Sequence, residues 1–152
     1  MGAQITTGVV HDIAPDAVQS PVSMRDIARV AAHLLADPQD AHLGTMYELT
    51  GPRALTRAEI AREIGIGLDI DVEMRRCSRA EADALLRPLM GDGVDWYLDL
   101  FDRAANPQGA EEQFARDQIV TGQRANDHVE RITGTPAESM AQWAARNREA
   151  FG

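Results

Sequence analysis

The sequence contains no lysine: all fifteen basic residues are arginine. This excludes a Schiff-base lysine, a phosphate-loop lysine and the lysine of a tyrosine–lysine proton relay. Cysteine is nearly absent as well. Cys77 stands alone, so no internal disulfide can form and a reducing cytoplasm is the expected compartment. Aromatic residues make up 5% of the chain, and with alanine plentiful this favours closely packed helices over aromatic-lined sheets. There is no apolar run long enough to span a bilayer, and no basic stretch followed by an apolar one as in a leader peptide. A net charge of -9, with arginines scattered singly or in pairs, repels phosphate backbones and anionic bilayers, so neither nucleic acid nor membrane is an expected partner. Glycines are present but not as G-x-G-x-x-G. Gly65-Ile66-Gly67 follows a helix instead of opening one, leaving no helix N-terminus prepared for a pyrophosphate, and no cofactor is expected.

With 152 residues the chain reads as a single domain, long enough to bury about 70% of its unfolded surface. An extended or hairpin-like opening, Ile5 to Val10, leads through His11-Asp12 and Pro15 to Val22, so residues 1–22 form an opening segment. Residues 23–105 form the strand and helix core. Ser23 with Asp26 resembles a capping box, and Ile27, Val30, Ala31, Leu34 and Leu35 recur at helical spacing until Asp37-Pro38, predicting a helix over 23–36 with one buried face. Met46 to Leu49 alternates as a short strand ended by Gly51-Pro52, and Thr56 with Glu59 caps a helix over 56–64 that ends at Gly65. Ile70, Val72 and Met74 alternate with Asp71, Glu73 and Arg75, the pattern of a half-exposed strand. Ser78 with Glu81 caps a helix over 78–88 that buries Leu85, Leu86 and Leu89 and is distorted or ended by Pro88. A helix over 94–105 is followed by a looser connection through 106–126. Residues 127–152 hold the last helices: a short one from Asp127 to Gly134, and one over 136–148 capped at Thr135 with Pro136 in its first turn.

Four stretches in this order carry a resemblance: Val22-Ser23-Met24-Arg25-Asp26-Ile27-Ala28, Tyr47-Glu48-Leu49-Thr50-Gly51-Pro52, Thr56-Arg57-Ala58-Glu59-Ile60-Ala61, and Val129-Glu130-Arg131-Ile132-Thr133-Gly134-Thr135-Pro136 with Trp143 and Phe151. Together they resemble the C-terminal half of the NmrA-like, atypical short-chain dehydrogenase/reductase group, which includes NAD(P)H-dependent quinone-reductase-like proteins. The resemblance runs from about Val9 to Phe151 and implies an α/β, helix-rich fold: the substrate-side portion of a Rossmann-type fold, with two to four short strands. In that family the first half holds the dinucleotide, while the matched part adds the last sheet strand and a helical region closing over the substrate. The dinucleotide half is not represented here, so the resemblance places hydride transfer outside this chain acting alone.

Asp26, Thr50, Glu59 and Glu81 sit where helix capping explains them. Cys77 reads as a small core filler. His11, His33, His42 and His128 show no metal-ligand spacing, and no metal site is expected. The segment Val94 to Phe101 differs in being apolar on two sides: Val94, Tyr97, Leu98 and Phe101 on one, Trp96 and Leu100 on another. Such a helix must cover a pocket, a subunit or a second partner. Trp96, Tyr97 and Leu100 are the substrate-binding candidates, and Asp95, His11 and Asp12 the catalytic ones, as titrating groups whose protonation apolar surroundings could shift.

Two functions follow. In one, the chain is a cofactor-independent enzyme that binds a hydrophobic metabolite and catalyses cyclisation, dehydration, isomerisation or epoxide opening by acid/base chemistry; Met1 with its own opening strand favours this reading. In the other, it is the C-terminal part of an NAD(P)H-dependent oxidoreductase or redox-sensing regulator completed by a partner chain. A non-enzymatic binding or accessory protein is the third alternative. The arginine-only composition points to a bacterial, GC-rich source in which specialised metabolism is frequent. An exposed sheet edge points to a homodimer or a partner chain.

Overall fold

A computed structural model describes residues 2–37, 42–105, 109 and 124–151. Four short strands and a set of helices alternate. After α1 (Gly2–Ile5) come β1 (Val9–Asp12), β2 (Val18–Gln19), α2 (Met24–Ala36), β3 (Leu55–Thr56), α3 (Arg57–Leu68), β4 (Glu73–Arg76), α4 (Arg79–Met90) and α5 (Gly93–Ala105). Beyond residue 124 follow α6 (His128–Thr133), α7 (Met140–Arg146) and a 3-10 turn, Arg148–Phe151. β1 pairs in parallel with β4, Val9 opposite Glu73 and Asp12 opposite Arg76, while β2 and β3 form a small antiparallel pair. The fold is the helix-rich α/β arrangement expected from the sequence.

Helix starts follow the capping signals. Ser23 accepts the Asp26 amide, and full capping boxes join Thr56 to Glu59 and Ser78 to Glu81. Helix ends and one start depart from expectation. Gly65 does not stop α3, which runs to Leu68 and ends where Asp69 takes the left-handed conformation (φ 60°). The two glycines serve packing instead: a Cβ on Gly65 would lie 2.7 Å from the Ile70 carbonyl oxygen, and one on Gly67 would lie 2.2 Å from that of Ala141. α3 therefore lies directly against α7, and Arg148 donates to the Leu68 carbonyl at 2.8 Å, capping the orphan end of α3. Pro88 does not end α4, which continues past it to Met90; in the last turn a proline removes only one backbone bond. The final helix starts at Ser139, not Thr135, because residues 135–138 act as a tie: the Glu138 amide donates to Asp26 Oδ2 at 2.7 Å and its carboxylate takes both Arg146 bonds.

Other differences concern strands and faces. Ile5 ends a helix, so the opening strand begins only at Val9. Residues 45–50 form no strand, since no described residue supplies a ladder partner. Ala31 and Leu35 of α2, and Leu85 and Leu89 of α4, are exposed, not buried. Most of the looser connection, residues 106–108 and 110–123, lies outside the described residues.

The main core joins Ile5, Val10, Leu55, Ile60, Ala61, Ile64, Leu68, Val72 and Ala144, with Trp143 and Phe151 at its border. A second cluster, Cys77, Ala82, Val94 and Leu98, lies beyond the carboxyl ends of β1 and β4 and packs against Ile13, Leu86 and Tyr97. In open α/β sheets that end is where ligands bind.

Candidate functional site

A cleft of about 60 Å³ opens there, lined by Val10, His11, Asp12, Ile13, Arg57, Ala82, Leu85, Leu86 and Tyr97. Three elements deliver its polar groups. β1 ends at Asp12, whose side chain is turned inward by the strand's alternation; Val10 and Asp12 are buried, His11 exposed. Its Oδ1 accepts the Ala14 amide at 2.7 Å, fixing the turn after the strand, and its Oδ2 meets Arg57 Nη2 at 2.7 Å. Arg57 opens α3. A cation in a helix's first turn works against the helix dipole, so its place there reflects its partners: Asp12, the Tyr97 hydroxyl at 3.0 Å from Nη1, and the Phe101 ring, over which the guanidinium lies 5.5 Å from the centroid. Tyr97 and Phe101 pack edge to face on α5. Because Arg57 donates to the Tyr97 oxygen, the tyrosine's own proton is left to donate toward the cleft. Cys77 borders the site, and burial, with the nearby Asp12 charge second, pushes its thiol pKa up, so it is not an activated nucleophile.

The sequence candidates divide. His11, Asp12 and Tyr97 converge on this cleft. Asp95 does not: it is solvent-exposed and bonds Arg87 at 2.7 Å, tying α5 to α4 in place of the apolar surroundings anticipated for it. Trp96, 68% exposed, points away on the opposite face, and the half-buried Leu100 is not among the lining residues. Arg57, the residue that organises the cleft, was not among the candidates; its sequence signal is the lone arginine directly after the Thr56 cap.

A larger, open hollow of about 530 Å³ lies between α2 and α7, lined by Arg25, Asp26, Arg29, Glu138 and Arg146 among others. Its charges are mostly committed to one another: Asp26 to Arg29 at 2.6 Å and Glu138 to Arg146 at 2.7 Å, the latter pair holding Glu138 below its usual carboxylate pKa. It is a structural junction. Among the described residues no group of three or more His, Cys, Asp or Glu could hold a metal, and no helix is long and apolar enough to cross a membrane. Two helix starts are also unsuited to a pyrophosphate. At the starts of α3 and α4, which directly follow strands, the Thr56 and Ser78 amides are each taken by a carboxylate, Glu59 and Glu81, whose charge repels a phosphate.

No protein-family model matches the sequence. The chain is 28% identical over 131 residues to an NAD(P)H azoreductase of Xenophilus azovorans, covering 86% of this chain and 41% of the azoreductase. Among solved structures, an NADPH-dependent quinone oxidoreductase of Escherichia coli superposes with a TM-score of 0.67 at 22% identity, over 95% of this chain and 48% of its own. A triphenylmethane reductase of a Citrobacter species superposes with a TM-score of 0.61 at 18% identity, over 95% of this chain and 45% of its own. The chain thus has the fold of somewhat less than half of these NAD(P)H-linked reductases, consistent with the C-terminal half to which its sequence motifs point.

Proposed function

We propose that the chain is the substrate-side portion of an NAD(P)H-dependent oxidoreductase acting on a conjugated aromatic acceptor, the dinucleotide being held by an α/β portion that these residues do not provide. The observation that carries this reading is the Asp12–Arg57–Tyr97 array at the carboxyl end of the parallel strands. The similar proteins, named for azo, quinone and triphenylmethane acceptors, support the acceptor class. They support this reading over a cofactor-independent lyase or isomerase.

In the proposed roles, Ile13, Leu85 and Leu86 form an apolar wall for one edge of the acceptor. The Tyr97 hydroxyl donates to the acceptor oxygen or nitrogen on which negative charge builds, and then gives up its proton. Arg57 is already bonded to the phenolic oxygen, so the charge left there is met without reorganisation. Asp12 is a positioning residue: it holds Arg57 and touches no substrate. With no lysine in the chain, arginine takes the cationic place beside the tyrosine.

Titration of the purified chain with a naphthoquinone, followed by amide chemical shifts, tests the assignment. Shifts should centre on Arg57, Leu86 and Tyr97, and Tyr97→Phe should weaken binding several-fold while changing stability by only about 1 kcal/mol, one hydrogen bond's worth. Shifts centred on Asp95 and Trp96, or none at saturating quinone, would overturn it.

A further inference from the structure

The hollow between α2 and α7 is held together by two ion pairs, yet its cations outnumber its anions: Arg25, Arg29 and Arg146 face Asp26 and Glu138. The carboxylates are fully engaged. Asp26, 1% exposed, gives one oxygen to Arg29 at 2.6 Å and the other to the Glu138 amide at 2.7 Å, and both Glu138 oxygens meet Arg146 at 2.7 Å. The donors are not. Among the described residues Arg146 bonds through one edge of its guanidinium only, which leaves Nη1 open, and Arg29 bonds through Nη2 only, to Asp26 and to the Pro136 carbonyl at 3.2 Å. Arg29 Nε is buried and has no hydrogen-bond partner. A buried donor without a protein partner calls for a water or a bound group beside it.

Arg25 is the cation the protein explains least. It sits in the first turn of α2, where the helix dipole disfavours a positive charge, and one turn before Arg29, where like charges repel. Arg57 stands in the same unfavourable place but has Asp12, Tyr97 and Phe101 as partners. Arg25 is exposed and makes no hydrogen bond or ion pair with a described residue. Its charge is nonetheless felt in the hollow: after Arg146 and Ser23, it helps hold Glu138 below its usual carboxylate pKa. On the facing wall, Gln142 of α7 gives its side-chain oxygen to the Ser139 amide at 2.9 Å, so its NH2 group is left to donate.

We propose that this hollow binds a small molecule carrying two or more carboxylates, one held by Arg25 and Arg29 on α2 and another by Gln142 and Arg146 on α7. Carboxylate is the group that guanidinium already takes twice here, and the planar fork of arginine matches it. Two ends are required because donors stand on both walls of a hollow of about 530 Å³, which no single inorganic ion spans and which falls within the size of small-molecule sites. The net charge of -9 does not oppose this, since charges are screened beyond about 8 Å at physiological salt and the three nearby arginines govern. No lining residue is shared with the Arg57–Tyr97 cleft.

Titration of the purified chain with citrate, followed by calorimetry and by amide and side-chain N–H chemical shifts, tests the site, with inorganic phosphate as the single-headed comparison. Citrate should bind saturably and shift Arg25, Arg29, Gln142 and Arg146; phosphate should bind at least several-fold more weakly. Arg25→Gln should weaken citrate about tenfold, the loss of one charge-assisted contact, without lowering the melting temperature. Arg62→Gln, which removes the same charge from an exposed position on α3, should leave the affinity nearly unchanged. At Ala145, exposed and on the lining of the hollow, substitution Ala145→Glu supplies a carboxylate from the chain itself and should abolish citrate binding in a protein as stable as the parent. Absence of saturable citrate binding, equal losses in Arg25→Gln and Arg62→Gln, phosphate binding as tight as citrate, or undiminished citrate binding in Ala145→Glu would each overturn the proposal.

Discussion

Arg57 and its partners concentrate the most consequential chemistry of the chain into four side chains. Removing the cation while Asp12 stays buried leaves an uncompensated charge, so Arg57→Ala should destabilise by roughly 3–5 kcal/mol, measurable by denaturant unfolding. The double variant Asp12→Asn/Arg57→Ala should recover part of that loss, whereas a double-variant loss equal to the sum of the two single-variant losses would mean that the pair is not coupled. Trp96→Ala should leave stability nearly unchanged, since the ring is largely solvated, and Phe101→Ala, which removes the ring beneath the guanidinium, should cost more. Glu138 makes a pH prediction. Its bonds to Arg146 hold its pKa below the usual 4.5, so the stabilisation is present above the unfolded value and lost as pH falls through the folded one. Glu138→Gln should therefore flatten the acid side of a melting-temperature profile below about pH 4.5; an unaltered acid slope would remove that pair from the account. Little of this was legible in the sequence. His11, Asp12 and Tyr97 stood out as titrating or aromatic residues near apolar runs, but Arg57 meets Asp12 across 45 positions and Tyr97 across 40, and no local pattern encodes such pairings. Asp95 misleads for the converse reason: its aromatic neighbours in sequence face elsewhere, while Arg87, one helix back, takes its charge.

Elements were legible at their starts and less so at their ends. A cap needs a serine or threonine followed three residues later by glutamate, and the Thr56 and Ser78 boxes form as read. Glycine is ambiguous, because the same residue serves a left-handed C-cap or a close helix approach. At Gly65 and Gly67 the second use wins and Asp69 takes the turn. The contrast can be measured. Gly67→Ala would place a methyl 2.2 Å from the Ala141 carbonyl oxygen and should destabilise by about 1–3 kcal/mol through overpacking. Gly93→Ala meets nothing within 4 Å and should be neutral or stabilising by about 0.4–1 kcal/mol. A Gly67→Ala variant as stable as the parent would show that α3 and α7 are not in direct contact. The predicted strand at 46–49 shows the other boundary of sequence reading: alternation gives a segment its faces, but a strand exists only where a second backbone completes it.

For the whole molecule, the proposed function assigns acceptor binding to this chain and the dinucleotide to a portion that these residues do not provide. The starts of α3 and α4 each carry a glutamate carboxylate bonded to the cap amide, where a pyrophosphate would need a free one. The most direct test is calorimetric titration of the purified chain, first with NADPH and then, in the same cell, with a naphthoquinone. The account predicts no saturable heat from NADPH and saturable binding of the quinone that Tyr97→Phe weakens several-fold; saturable NADPH binding to this chain alone would contradict it.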